Sequence, residues 1–205
     1  MPLVALALAL ALVATACADD GRELRPPPPG VTAPPPPTAA PPPTAPSFAE
    51  ASAVTGPDGF ALRSPAVTPG EALPLVHTCD GGNVSPPLAW TDPPAGTVEL
   101  ALVVLDATGF VHWAVAGIDP GAAAVAAGET PDGLVAANGI GEFDYHGPCP
   151  LTEAPEVYAF VLFALTTPSR AVPGTDGAAL VAELEGAASW RSSFAVTAAG
   201  GAVAG

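Results

Sequence analysis

The chain has 205 residues, and its twenty acids outweigh five arginines, with no lysine, for a net charge of −15. That balance excludes the clustered cations on which nucleic-acid binding rests, and it opposes attachment to an anionic membrane by charge alone. Apolar residues make up 49% and charged residues 12%, which excludes wholesale disorder.

Taken from the N-terminus, Leu3–Ala16 is an unbroken run of Leu, Ala and Val ending at Thr15-Ala16-Cys17. Its length suits the apolar region of a signal peptide and is too short to span a bilayer. Small residues before a lone cysteine resemble a bacterial lipobox. Residues 1–17 therefore read as an export signal, with Cys17 as the lipidated first residue of an extracytoplasmic, membrane-anchored protein; secretion after ordinary cleavage near Cys17 is the alternative. Residues 18–51 contain Pro26–Pro29, Pro34–Pro37 and Pro41–Pro43, which favour an extended polyproline spacer. At about 3.1 Å per residue, some thirty residues reach roughly 90 Å.

Residues 52–198 form one domain of about 145 residues, long enough for a real core, and 199–205 a flexible tail. Short apolar runs between Gly, Pro and Asp give the rhythm of a sheet protein. Strands are expected at Phe60–Arg63, Leu73–Thr78, Leu88–Trp90, Val98–Asp106, Val111–Ile118, Val157–Leu165 and Ser193–Val196. Val98–Leu105 is almost wholly apolar, as a strand covered on both faces should be. One helix is expected at Gly177–Ala187, with Asp176 as its N-cap and Leu180, Leu184 and Ala187 along one stripe. Wide spacing makes Trp90, Trp113 and Trp190 core residues.

Three clusters could carry chemistry. His77-Thr78-Cys79-Asp80-Gly81-Gly82-Asn83-Val84-Ser85-Pro86-Pro87 is an irregular loop fixed by its glycines and prolines. Asp106-Ala107-Thr108-Gly109-Phe110-Val111-His112-Trp113 ends one strand on a carboxylate and begins the next with a histidine. A hairpin brings Asp106 and His112 together, but a loop of five residues puts them on one face and a loop of four on opposite faces. Tyr145-His146-Gly147-Pro148-Cys149-Pro150 is a second rigid loop. Cys79 and Cys149 are an even pair in an exported domain, which favours a disulfide over two free thiols. His77, Cys79, His146 and Cys149 would also suffice for a tetrahedral zinc site, though not at the spacing of a known module. No metal or other cofactor is expected.

Together the clusters resemble the phosphatidylethanolamine-binding protein family, also called Raf-kinase-inhibitor-like proteins, in its bacterial branch, over about residues 58–198. The carriers are Thr78–Trp90, the Asp106…His112-Trp113 pair and Tyr145–Pro150. The resemblance implies an antiparallel β-sandwich-like fold with a short C-terminal helix. It also implies a small pocket for phosphate-like anions and phospholipid head groups, with Asp106, His112, Tyr145, Gly147 and Pro148 at pocket positions. Two departures stand out. Asp106-Ala107-Thr108-Gly109 shortens the loop after the family's first aspartate, and Ala154-Pro155-Glu156-Val157-Tyr158 replaces Gly-x-His-Arg-Tyr, exchanging a histidine and an arginine for Glu156 and Val157.

The expected function is non-enzymatic binding of a small anionic or head-group-like ligand. His112, oriented by Asp106, and backbone N–H groups of Tyr145–Cys149 would hold it, with His146 and Glu156 at the rim. An added carboxylate weakens phosphate binding, so affinity should improve as pH falls. Two rivals are inhibition of a partner enzyme by protein contact and weak hydrolysis with Asp106, His112 and a Ser85 nucleophile; no Gly-x-Ser-x-Gly elbow supports the latter.

Overall fold

The computed structural model describes residues 54–200. The expected signal segment, Cys17 and the whole spacer lie outside them, as do residues 52–53 and 201–205. The strands are β1 (Leu62–Arg63), β2 (Leu88–Trp90), β3 (Glu99–Asp106), β4 (Val111–Ile118), β5 (Ala124–Val125), β6 (Leu134–Val135), β7 (Glu156–Leu165) and β8 (Trp190–Ala198), with helix α1 (Gly177–Ala187) between the last two. A five-stranded sheet runs β6-β4-β3-β7-β8 and a three-stranded sheet runs β1-β2-β5, with antiparallel pairing throughout.

The large sheet is buried on both faces. Leu100, Leu102 and Val104 of β3 join Leu62, Leu88 and Trp90 in a core shared with the small sheet. The alternating residues Ala101, Val103 and Leu105 join Leu180 and Leu184 in a second core beneath α1. A strand that packs on two sides needs apolar residues at every position rather than at every second one, and β3 is buried from Glu99 to Leu105. Trp90 and Trp113 lie in the first core and Trp190 packs against it partly buried. The helix has the expected bounds, and Asp176 caps it by accepting from the Ala179 amide at 2.9 Å. Its buried stripe is Gly177, Leu180 and Leu184; Ala187, expected in that stripe, is exposed.

Leu73–Thr78 is not the expected strand. Ala72 makes a single bridge to Thr197, and Leu75–His77 then coils into a 3-10 turn closed by the His77 amide on the Pro74 carbonyl. Proline has no N–H to extend a ladder, so the apolar run turns there. β8 is longer than expected because it pairs with β7 from Glu156↔Ala198 to Ala164↔Trp190.

Candidate functional site

Between the strand bounds the β3–β4 connection is residues 107–110, the shorter of the two lengths considered from the sequence. Asp106 donates its amide to the Phe110 carbonyl, closing a turn in which Gly109 has φ of 87°. That left-handed conformation closes the turn and suits glycine. The Asp106 carboxylate stiffens it, for Oδ1 accepts from the Thr108 amide at 2.8 Å, the Thr108 hydroxyl at 2.7 Å and the Phe110 amide at 3.0 Å.

One further irregularity aims the histidine. The register changes from Val104↔Trp113 to Leu105↔Val111, so His112 is the extra residue of a β-bulge. Trp113 thereby packs in the first core and Val111 in the second, although only one residue separates them. His112 Nε2 lies 4.0 Å from Asp106 Oδ2. Tyr158 is the cross-strand partner of Asp106 and sets its ring edge-on to His112 at 5.1 Å. Phe110 meets the imidazole edge-on at 4.9 Å, and His146 stacks on it at 5.9 Å with 9° between planes.

His112 is 4% exposed. Its Nδ1 faces the His146 carbonyl at 2.8 Å, so the neutral ring places its proton there and its lone pair on Nε2, which is buried and without a hydrogen-bond partner. The orienting group is thus the His146 carbonyl rather than Asp106, which faces the other nitrogen. Burial lowers the His112 pKa below the ordinary 6.5; the His146 carbonyl and the Asp106 carboxylate pull it back without cancelling the effect.

The two loops behind the imidazole are fastened together. Cys79 and Cys149 are disulfide-bonded with Cα atoms 5.3 Å apart, and the Cys79 amide donates to the Pro148 carbonyl. Their sulfurs are joined to each other, which removes the zinc reading of His77, Cys79, His146 and Cys149. Tyr145 is buried, packs edge-on to Trp113 and donates its hydroxyl to the His77 carbonyl at 2.7 Å. Gly147 donates its amide to Asn83 Oδ1 at 2.6 Å, and a Cβ on it would stand 2.7 Å from the His77 carbonyl oxygen. The His146 amide is taken by the His112 carbonyl. Tyr145, Gly147 and Pro148 therefore support the site from behind, and the Gly147 and His146 amides expected to face a ligand are already engaged.

Glu156 opens β7 at the exposed rim, where Oε2 accepts from the Tyr158 hydroxyl at 3.2 Å. Burial, followed by the nearby Glu156 and Asp106 carboxylates, pushes the Tyr158 pKa well above the ordinary phenol value. Ser85 is buried and donates to the Glu129 carbonyl at 3.2 Å, not to His112, so the hydrolase reading loses its nucleophile. A cleft of about 370 Å³ adjoins Phe110, with Asn138, Gly139 and Asp176 in its walls; Asp106, His112 and Glu156 do not line it. Phe110, Tyr158 and Asn83 are the contributors that the sequence reading did not assign. Tyr158 was within reach, because it follows Glu156 at the two-residue period of one strand face.

The sequence profile of the phosphatidylethanolamine-binding protein family matches residues 63–198. This chain belongs to that family. It is 35% identical over 197 residues to the Mycobacterium tuberculosis protein designated a lipoprotein, LppC, covering 93% of this chain and 92% of that one. A UPF0098 protein of the same species is 39% identical over 134 residues, 62% of this chain and 65% of its own. Among solved structures, E. coli YbcL, described as a member of the mammalian PEBP family, aligns with TM-score 0.64 and 26% identity, over 68% of this chain and 98% of that one. The PEBP homologue CT736 of Chlamydia trachomatis gives 0.61 and 26%, over 67% and 95%. The mainly antiparallel fold with one short helix is thus the family's fold, as the three sequence clusters implied.

Proposed function

We propose that the domain reversibly binds a small, polar, head-group-like ligand at the Asp106–His112 end of the large sheet and performs no turnover. The observation that carries this is His112 Nε2, a buried polar atom without a partner beside a carboxylate 4.0 Å away. Buried polar groups are nearly always paired, so an unpaired one at the end of a sheet, beneath an exposed Glu156, suits an external partner. Affinity is modest, with dissociation constants of about 0.1–1 mM, because only a few polar contacts are on offer. Titration with phosphoethanolamine, read from the ring resonances of His112, tests the site. Those resonances should shift, and His112→Ala should weaken binding at least tenfold. An alanine variant that binds equally well would remove His112 from the site.

We also propose that Cys17 is lipidated and holds the protein at the outer face of the cytoplasmic membrane. The similarity to the protein designated lipoprotein LppC spans 93% of this chain and supports that reading. Cys17→Ser is expected to release the protein into the medium, and mass spectrometry of the wild type should find acyl chains at Cys17. A wild-type protein secreted with its N-terminus beyond residue 17 would rule the anchor out.

A further inference from the structure

The Cys79–Cys149 bond is unequally covered. Cys149 is exposed, whereas Cys79 is half-buried between the buried Thr78 and Asp80, whose Oδ1 stands 3.9 Å from the Cys79 sulfur. A carboxylate there repels an anionic thiolate, so charge and burial both favour Cys149 as the sulfur that a reagent reaches first. The surroundings are apolar. Leu151, two residues beyond Cys149, is 96% exposed, the most of any large apolar side chain among the described residues. Leu75 and Val76, also exposed, lie in the 3-10 turn just before Cys79, and Gly81 packs against the backbone of that turn so closely that a Cβ on it would collide with the Leu75 carbonyl. Single exposed apolar residues are ordinary, but three gathered around one accessible disulfide mark a contact surface.

Folding brings the two cysteines together without help from the bond. The Cys79 amide donates to the Pro148 carbonyl, the Gly147 amide to Asn83 and the Tyr145 hydroxyl to the His77 carbonyl. The reduced domain therefore holds its thiols side by side, and closing the bond between them is an intramolecular step.

We infer that Cys149 is the entry point for thiol–disulfide exchange on the folded domain, and that Leu75, Val76 and Leu151 seat the partner, an oxidoreductase carrying a reactive disulfide beside an apolar peptide-binding surface. The Cys149 thiolate attacks one sulfur of the partner's disulfide; a bond from Cys149 to the partner forms, and the partner's other sulfur leaves as a thiolate. Cys79, having lost its proton, then attacks Cys149 Sγ. The native bond forms and the partner's first sulfur leaves. Two electrons thus pass from this chain to the partner, whose disulfide becomes a dithiol on taking up the two protons released by the cysteines. Access sets the order, because exchange beginning at Cys79 would have to enter between Thr78 and Asp80. A second copy of this chain suits the surface poorly, since it brings a further net charge of −15.

Cys79→Ser and Cys149→Ser, each added to Cys17→Ser in the full chain held in detergent, leave one thiol apiece. Each variant is mixed with oxidised glutathione and, separately, with a thioredoxin-fold oxidoreductase in its disulfide form, and mass spectrometry follows the initial rate of mixed-disulfide formation. Cys149 should react at least tenfold faster than Cys79 with both oxidants. Leu151→Ser should slow the reaction of Cys149 with the oxidoreductase at least threefold and leave that with glutathione within twofold. Equal rates at the two cysteines, or a faster Cys79, would overturn the entry point. An equal effect of Leu151→Ser on both oxidants, or none on either, would overturn the docking surface, and disulfide-linked dimers that outpace the mixed disulfide would assign that surface to a second copy instead. Pulse alkylation of the reduced Cys17→Ser chain, at urea concentrations below its unfolding midpoint, makes the comparison with both cysteines in place. Cys149 should be labelled at least tenfold ahead of Cys79, and equal labelling would contradict the inference.

Discussion

Replacing Cys79 and Cys149 together by alanine is expected to lower stability by about 4 kcal/mol, the entropy of the loop closed across 70 residues of sequence. The native arrangement of the two segments should survive. The Cys79 amide still meets the Pro148 carbonyl, Gly147 still bonds Asn83, and Tyr145 still bonds the His77 carbonyl. The loss therefore comes chiefly from the larger freedom of the unfolded chain, and binding should change much less than stability. Urea unfolding of wild type and double variant measures the difference. Alkylation of the unfolded, unreduced wild type checks the bond itself; two modified thiols from Cys79 and Cys149, or a stability loss below about 1 kcal/mol, would contradict it.

Acid should destabilise the domain through His112. Its pKa is held below the unfolded value of 6.5, chiefly by burial, so the unfolded chain takes up a proton that the folded chain resists. The stability from the neutral, buried ring is fully present above pH 6.5 and is lost as pH falls from there toward the lower folded pKa. While one proton is at stake the slope reaches at most about 1.4 kcal/mol per pH unit. Asp106, His146, Glu156 and Tyr158 also surround this end of the sheet, so the comparison has to be made against a variant that keeps them. His112→Gln does so. Its urea midpoint should fall less steeply than the wild type's between pH 7 and 5, and parallel slopes would show that His112 is not the group responsible.

The long elements were legible because their burial writes itself into composition. β3 lies between two cores and reads as continuous apolar sequence, while α1 announces itself through Asp176 and the Leu180–Leu184 spacing. β5 and β6 have two residues each, too few to show any period. Leu73–Thr78 had strand-like composition, but Pro74 starts a turn there. In the site, motif order brought Asp106, His112 and the Tyr145–Cys149 loop to one place. It did not reveal which nitrogen of His112 is held, since that depends on a carbonyl from a residue 34 positions away. Nor did it show that Tyr145 and Gly147 spend their polar groups on His77 and Asn83.

The bulge at His112 separates what the fold requires at this position from what a ligand requires. Val111 and Trp113 serve different cores although one residue separates them, and the bulge accommodates that extra residue whatever its side chain. Deleting position 112 would change the count and restore regular pairing, with Val111 and Trp113 alternating as neighbours on the faces they already occupy. Substituting it leaves that count intact. A change of side chain at 112 can therefore alter ligand preference while both cores keep their packing, so relatives can diverge in what they bind without first having to change how they fold.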